Sequence, residues 1–210
     1  MKTNWTEGRG AKTLTKPRDA LYMALTVLKH YQSWEKHAVE FGYKAPTFQK
    51  LMVRTFDTIQ PVLFDRFVRL PTITDLLTRR TTFKNFPYAH YATDVKFQPC
   101  ERPGGRFNER KAWFSGKHKL YGMKLEASVS PQGFCVDMSS AHLGATHDVA
   151  ILLSRLNVHL KALTKTSSEV NEIDNGEHNI TYPDLRVMLV EMGYCGILDH
   201  LRSKEPSCIR

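Results

Sequence analysis

The sequence lacks any hydrophobic run long enough to cross a bilayer. Uninterrupted apolar stretches such as Val149 to Leu153 and Val187 to Val190 fall far short of the roughly 20 residues a spanning helix needs. A transmembrane helix is excluded. A secretory signal is not expected either: the first 19 residues carry charges throughout, and the apolar segment Ala20 to Leu28 has helical spacing and no small-residue cleavage site. Cytoplasm or nucleus is the default. Cysteine is scarce, and Cys100, Cys135, Cys195 and Cys208 form no C-x-x-C pair, which fits neither a zinc site nor a disulfide framework. They read as reduced and mostly structural. No Gly-rich phosphate loop occurs, since Arg102-Pro103-Gly104-Gly105-Arg106 lacks the Lys-Ser/Thr that would follow. No Ser-His-Asp or Cys-His set has supporting context.

What is present is enough apolar residue, 41% of 210, for one large domain or two small ones. The net charge of +9 is unevenly spread: +8 over residues 1–90, +4 over 91–130 and −3 over 131–210. A basic front and a mildly acidic back suggest a polyanion-binding module joined to something else.

Residues 17–70 read as an all-α helix-turn-helix region. Leu21, Leu25 and Leu28 recur at helical spacing after Pro17, predicting the inward face of a first helix. Ser33 can cap a short helix from Trp34 to Phe41, ended by Gly42. A longer helix follows Pro46, with Phe48, Leu51, Met52, Thr55, Phe56 and Ile59 as its apolar stripe and Lys50 and Arg54 outward. Short helix, turn and long helix is the order of a helix-turn-helix, and Lys50 and Arg54 are its candidate DNA contacts. Pro61 is expected to kink or restart the helix. The basic stretch 1–16 reads as disordered, and 71–88, with Pro71, Pro87 and Arg79-Arg80, as a linker.

From residue 89 to 210 the pattern is α/β. In a first strand Tyr91, Thr93, Val95 and Phe97 face one way and Ala92, Asp94, Lys96 and Gln98 the other. A second strand carries Tyr121, Met123, Leu125, Ala127 and Val129 on one face. A turn at Ser130-Pro131-Gln132-Gly133 leads to a third strand with Phe134, Val136 and Met138 inward. Thr146 is a candidate cap for a helix bearing Val149, Leu152, Leu153, Leu156 and Leu160, the polar stretch Thr164 to Asp184 reads as a surface insertion, and a last strand runs from Leu185 to Val190. A helical crossover returns that strand to the same sheet, parallel to the first. Asp94 and Glu191 then converge at the sheet edge where α/β proteins bind ligands. Paired carboxylates repel unless a cation lies between them, and oxygen ligands suit Mg²⁺ or Mn²⁺. Asp148 is a third acid able to approach, although the helix dipole alone favours an acid there. Lys117, His118 and Lys119, entering the second strand, are either a solvated strand entrance or phosphate contacts beside the acids.

At these residues the chain resembles the DDE superfamily endonucleases of PIF/Harbinger-type transposases. The matching motifs are Tyr91-Ala92-Thr93-Asp94, Phe114-Ser115-Gly116-Lys117-His118-Lys119, Pro131-Gln132-Gly133, Gly144-Ala145-Thr146-His147-Asp148 and Gly193-Tyr194-Cys195-Gly196. The resemblance covers roughly residues 85–200. It implies an RNase H-like mixed sheet, divalent-metal-dependent (Mg or Mn) DNA cleavage and strand transfer, a nuclear site of action, and an accessory DNA-binding protein of the kind such transposases often use. Asp94 takes the place of the first catalytic and metal-binding acid and Glu191 that of the second, where the family has Asp; His147 and Asp148 match a supporting His-Asp pair. The family's final Glu lies on a helix several tens of residues beyond the Gly-Tyr motif, whereas this sequence stops at Arg210, and Asp199 and Glu205 stand too close to Glu191 to replace it. The expectation is a C-terminally incomplete RNase H-like domain whose cleavage and strand transfer are lost. The alternative is a non-enzymatic DNA-binding or interaction protein that uses the basic helical half alone.

Overall fold

A computed structural model describes residues 15–30, 32–194 and 196–204. The N-terminal stretch read as disordered falls outside them up to residue 14, as do Cys195, Glu205 and Cys208. The chain divides into two compact units, Met1–Arg66 and Phe67–Arg210. Among the described residues no helix is long and apolar enough to cross a membrane.

In the first unit α1 (Pro17–Lys29), α2 (Trp34–Glu40) and α3 (Ala45–Phe67) enclose a small core. The Ser33 side chain accepts a hydrogen bond from the Lys36 amide and caps α2, and Gly42, at φ +71°, turns the chain into α3. Phe48 is fully buried, with the rings of Trp34, His37, Phe41 and Tyr43 around it at centroid distances of 5.6–6.3 Å. The α3 stripe lies inward as its spacing predicts, but Pro61 does not interrupt the helix. In α1 the expected face is reversed. Ala20, Met23, Ala24 and Val27 are buried, and Leu21, Leu25 and Leu28 are 39%, 52% and 65% exposed. The competing stripe has the same helical spacing, and its two alanines allow closer approach of the neighbouring helices.

The second unit begins with α4 (Ile73–Thr78), which occupies part of the stretch read as a linker. The Thr72 side chain caps it, and the Ile73 amide donates to Glu169 Oε1 at 2.9 Å. The sheet elements follow: β1 (Ala89–Pro99), α5 (Phe107–Lys111), β2 (Phe114–Ser115), β3 (Leu120–Val129), β4 (Cys135–Met138) and β5 (His142–Leu143). Then come α6 (Asp148–Ser154), α7 (Leu156–Leu163), β6 (Val187–Val190) and β7 (Ser203–Lys204). Strand order is β2-β3-β1-β6-β7, with β4 and β5 also paired to β3. β1 is antiparallel to β3 and parallel to β6, as the crossover requires, and β7 adds a short parallel strand beyond β6. This is the mixed α/β sheet expected of an RNase H-like domain. Gly122 and Gly144 are required by close approach: a Cβ on Gly122 would strike the Gln98 carbonyl and Phe97, and one on Gly144 the carbonyls of Trp113 and Gly122.

One face of β1, with Tyr91, Thr93 and Phe97, is buried as expected, and Asp94 and Lys96 lie on the open face. On β3 the polar face is the buried one: Lys124, Glu126 and Ser128 are covered, and Tyr121 to Val129 on the apolar face are half-buried. On β4 only Val136 is buried, since Phe134 precedes the strand and Met138 ends it in solvent.

The buried polar face is explained by its partners. Glu126 has no exposure and receives Arg155 Nη1 and, at 2.9 Å, His159 Nε2. Arg155 also reaches Asp137 at 2.6 Å, and His159 Nδ1 lies 3.0 Å from the Tyr91 hydroxyl. The single helix expected after Thr146 is accordingly two helices broken at Arg155, with His147 rather than Thr146 at the N-cap. The stretch read as a loose insertion is likewise tied down, because Asp174 holds Arg202 at 2.6 Å and Lys165 at 3.0 Å. Burial opposes ionisation of Asp174, but hydrogen bonds from Arg202 and Lys165 outweigh it and hold the carboxyl at about 2.

Arg155→Ala should cost about 3 kcal/mol or more in urea denaturation, the usual cost of stripping one partner from a buried pair. A loss below about 1 kcal/mol would assign the network no such weight. The depressed Asp174 carboxyl contributes stability that is complete above its ordinary value of 3.8 and drains away as pH falls towards 2. Asp174→Asn should therefore lower stability at neutral pH and flatten the acid limb of the stability profile; an unchanged limb would contradict the assignment.

Candidate functional site

The site is built where the C-terminal halves of β1 and β6 meet the start of α6. Thr93 pairs with Val190, the last pair of the β1–β6 register, and Asp94 and Glu191 are the residues that follow, Glu191 just beyond the end of β6. The parallel pairing expected from the crossover is present. Both acids are exposed, and Asp94 Oδ1 accepts from the Val95 amide at 2.7 Å. Neither forms an ion pair among the described residues.

Asp94, Glu191 and Asp148 line one cavity of about 570 Å³, together with Lys117, His118 and Lys124. Asp148 enters it differently from the other two acids. Lys124 Nζ donates to Asp148 Oδ1 at 2.8 Å and to the Thr146 carbonyl at 2.7 Å, so the third candidate acid is held in an ion pair at the head of α6. His147, at the N-cap, makes no side-chain cap bond. Asp199 is exposed on a short 3-10 turn and does not line the cavity.

The Ser115-Gly116-Lys117-His118-Lys119 segment is the turn joining β2 to β3. The Lys119 amide donates to the Ser115 carbonyl at 2.8 Å, and Lys119 itself adopts a left-handed φ of +57°. His118 stacks on Phe97, with ring centroids 4.4 Å apart and planes 9° from parallel. The turn thereby delivers Lys117 and His118 to the cavity and leaves Lys119 exposed outside its lining. In the first unit Lys50 and Arg54 share the exposed side of α3 and line a cleft of about 470 Å³ with Val53 and Asp57.

Two residues given no role from sequence belong to this region. Lys124 is one; a lysine in mid-strand is depleted too, though less than an aspartate such as Asp94, and that was its signal. Tyr194, in the Gly-Tyr motif, is the other. It is buried, and its hydroxyl has no hydrogen-bond partner among the described residues. Burial pushes its phenol well above the ordinary range, and the carboxylates of Glu126, Asp94, Asp148 and Glu191 push it the same way.

Among the described residues no three His, Cys, Asp or Glu side chains gather at metal-holding distance. Asp94 and Glu191 are two unpaired oxygen donors on neighbouring strands. That donor set fits Mg²⁺ or Mn²⁺, since Mg²⁺ commonly keeps several waters and takes one or two carboxylates plus substrate phosphate.

A family profile described as DDE superfamily endonuclease matches residues 93–197, half of the chain, and spans Asp94, Lys117, Lys124, Asp148, Glu191 and Tyr194. Searches among curated proteins and among solved structures returned no match.

Because the Tyr194 hydroxyl is buried without a partner, Tyr194→Phe should leave stability unchanged or raise it by about 1 kcal/mol in urea denaturation. A loss of more than about 1 kcal/mol would assign the hydroxyl a bond that stabilises the fold.

Proposed function

The chain belongs to the DDE superfamily endonuclease family, and from that premise we propose that it binds a divalent cation at Asp94 and Glu191 and binds DNA, with strand cleavage and transfer lost in this form. One observation carries the proposal: Asp94 and Glu191, which follow the last β1–β6 pair, line one cavity with several lysines and form no ion pair among the described residues.

Mg²⁺ or Mn²⁺ held there would supply Lewis-acid polarisation of a phosphodiester oxygen. The chain's own groups do the rest. Lys117 and the stacked His118 are placed to take phosphate oxygens at the cavity rim, and Lys119 to take them just outside it. Lys50 and Arg54, one turn apart on α3, are the candidate phosphate contacts of the helical unit, where α2, the Gly42 turn and α3 follow the order of a helix-turn-helix. The proposal includes a nuclear site of action, the compartment of chromosomal DNA.

Loss of cleavage is supported by the state of Asp148. In-line displacement between two metal ions draws on three or four carboxylates, and here one of three is committed to Lys124. Glu191 also carries one methylene more than the Asp usual at its position, a poor substitution where octahedral geometry is demanding.

The second reading, DNA binding by the helical half alone, is favoured by the exposed Lys50 and Arg54 cleft. The two readings separate in one set of assays. The full chain should bind duplex DNA with a steep salt dependence and take up Mn²⁺, and Asp94→Ala should abolish Mn²⁺ uptake while leaving DNA binding intact. Lys50→Ala with Arg54→Ala should weaken DNA binding. Mn²⁺ uptake indifferent to Asp94→Ala would leave only the second reading, and metal-dependent plasmid nicking that vanishes in Asp94→Ala would overturn the loss of cleavage.

A further inference from the structure

Lys124 is 6% exposed on the covered face of β3, between Gly122 and Glu126. A buried ammonium is costly unless paired, and this one is paired within the site, to Asp148 and to the carbonyl of Thr146, two residues before the start of α6. Its cross-strand neighbour is Phe97, on which His118 is stacked. The lysine is thus built into the cavity wall from both sides. The neighbouring buried charge, Glu126, takes Arg155 and His159 on Oε1, and its Oε2 has no hydrogen-bond partner among the described residues.

We propose that Lys124 withdraws Asp148 from the cation site and so limits that site to one divalent ion between Asp94 and Glu191. The inference rests on the cation-binding reading above. Lys124 and Asp148 cancel in charge, which leaves Asp94 and Glu191 as the carboxylates of the lining outside an ion pair, while the ammonium groups of Lys96 and Lys117 in the same lining oppose a second divalent ion. Lys124 acts as a positioning residue: it fixes the Asp148 carboxylate against the start of α6 and touches neither the ion nor substrate. Removing the ammonium leaves the Asp148 charge uncompensated beside the cation, whereas removing both members of the pair returns the cavity to its original charge.

The test is Mn²⁺ binding to the full chain, read from the electron paramagnetic resonance signal of free Mn²⁺, with no activity involved. The wild type should bind one Mn²⁺ and Asp94→Ala none. Lys124→Met should bind Mn²⁺ about tenfold tighter or take up a second ion, since a nearby opposite charge shifts such equilibria by a factor of ten or more. Lys124→Met with Asp148→Asn should return to the wild-type affinity. Loss of Mn²⁺ binding in the double variant would make Asp148 a ligand and overturn the proposal, as would a Lys124→Met affinity equal to wild type. If Lys124→Met fails to fold, the double variant, which leaves neither charge buried, decides alone. Wild-type uptake unaffected by Asp94→Ala would instead overturn the cation-binding reading itself.

Discussion

The second unit is organised by one buried charge. Glu126 sits in the middle of β3 with no access to solvent, and an unpaired carboxylate there would cost several kcal/mol. Its partners come from the helical crossover: Arg155 breaks α6 from α7 and His159 follows one turn later. Through Arg155 the network reaches Asp137 at the end of β4, and through His159 it reaches Tyr91 on β1. This explains why the polar side of β3 faces inward. The interaction holds the end of α6 at Arg155, and at the other end of that seven-residue helix Asp148 meets Lys124, two residues along β3 from Glu126.

The site depends on that placement and on the strand register together. β1 and β6 are parallel neighbours, and Asp94 and Glu191, which follow the Thr93–Val190 pair, line the same cavity. Whether Asp148 joins them is decided on the opposite face of β3, by a lysine. Three acids lining one cavity therefore do not make one equivalent set: two are open to a cation and one is already neutralised.

Much of this was legible in the residues themselves. Alternation exposed Asp94 as a strand acid, the order strand-helix-strand required β6 to run parallel to β1, and the α3 stripe marked its own inward face. What misled was taking apolar residues as inward wherever a stripe could be drawn. In α1 two stripes of similar spacing competed and the one with alanines won; in β3 the apolar face lost to a polar face with long-range partners. Neither Arg155 nor His159 announces its pairing with Glu126 in the sequence, because the residues are 29 and 33 positions apart and only the folded crossover brings them together. Lys124 carried a sequence signal, its place in mid-strand, but its partner Asp148 lies 24 positions away. The family resemblance anticipated the architecture, and it was silent on which of the acids stand in an ion pair.

The central claim is that Asp94 and Glu191 form the cation site while Asp148 stays with Lys124. The most direct measurement is the anomalous scattering of Mn²⁺ in crystals of the full chain grown with that ion. The account predicts a single peak between the Asp94 and Glu191 carboxylates, with the Lys124–Asp148 pair intact. A peak coordinated by Asp148, or none beside Asp94, would contradict it.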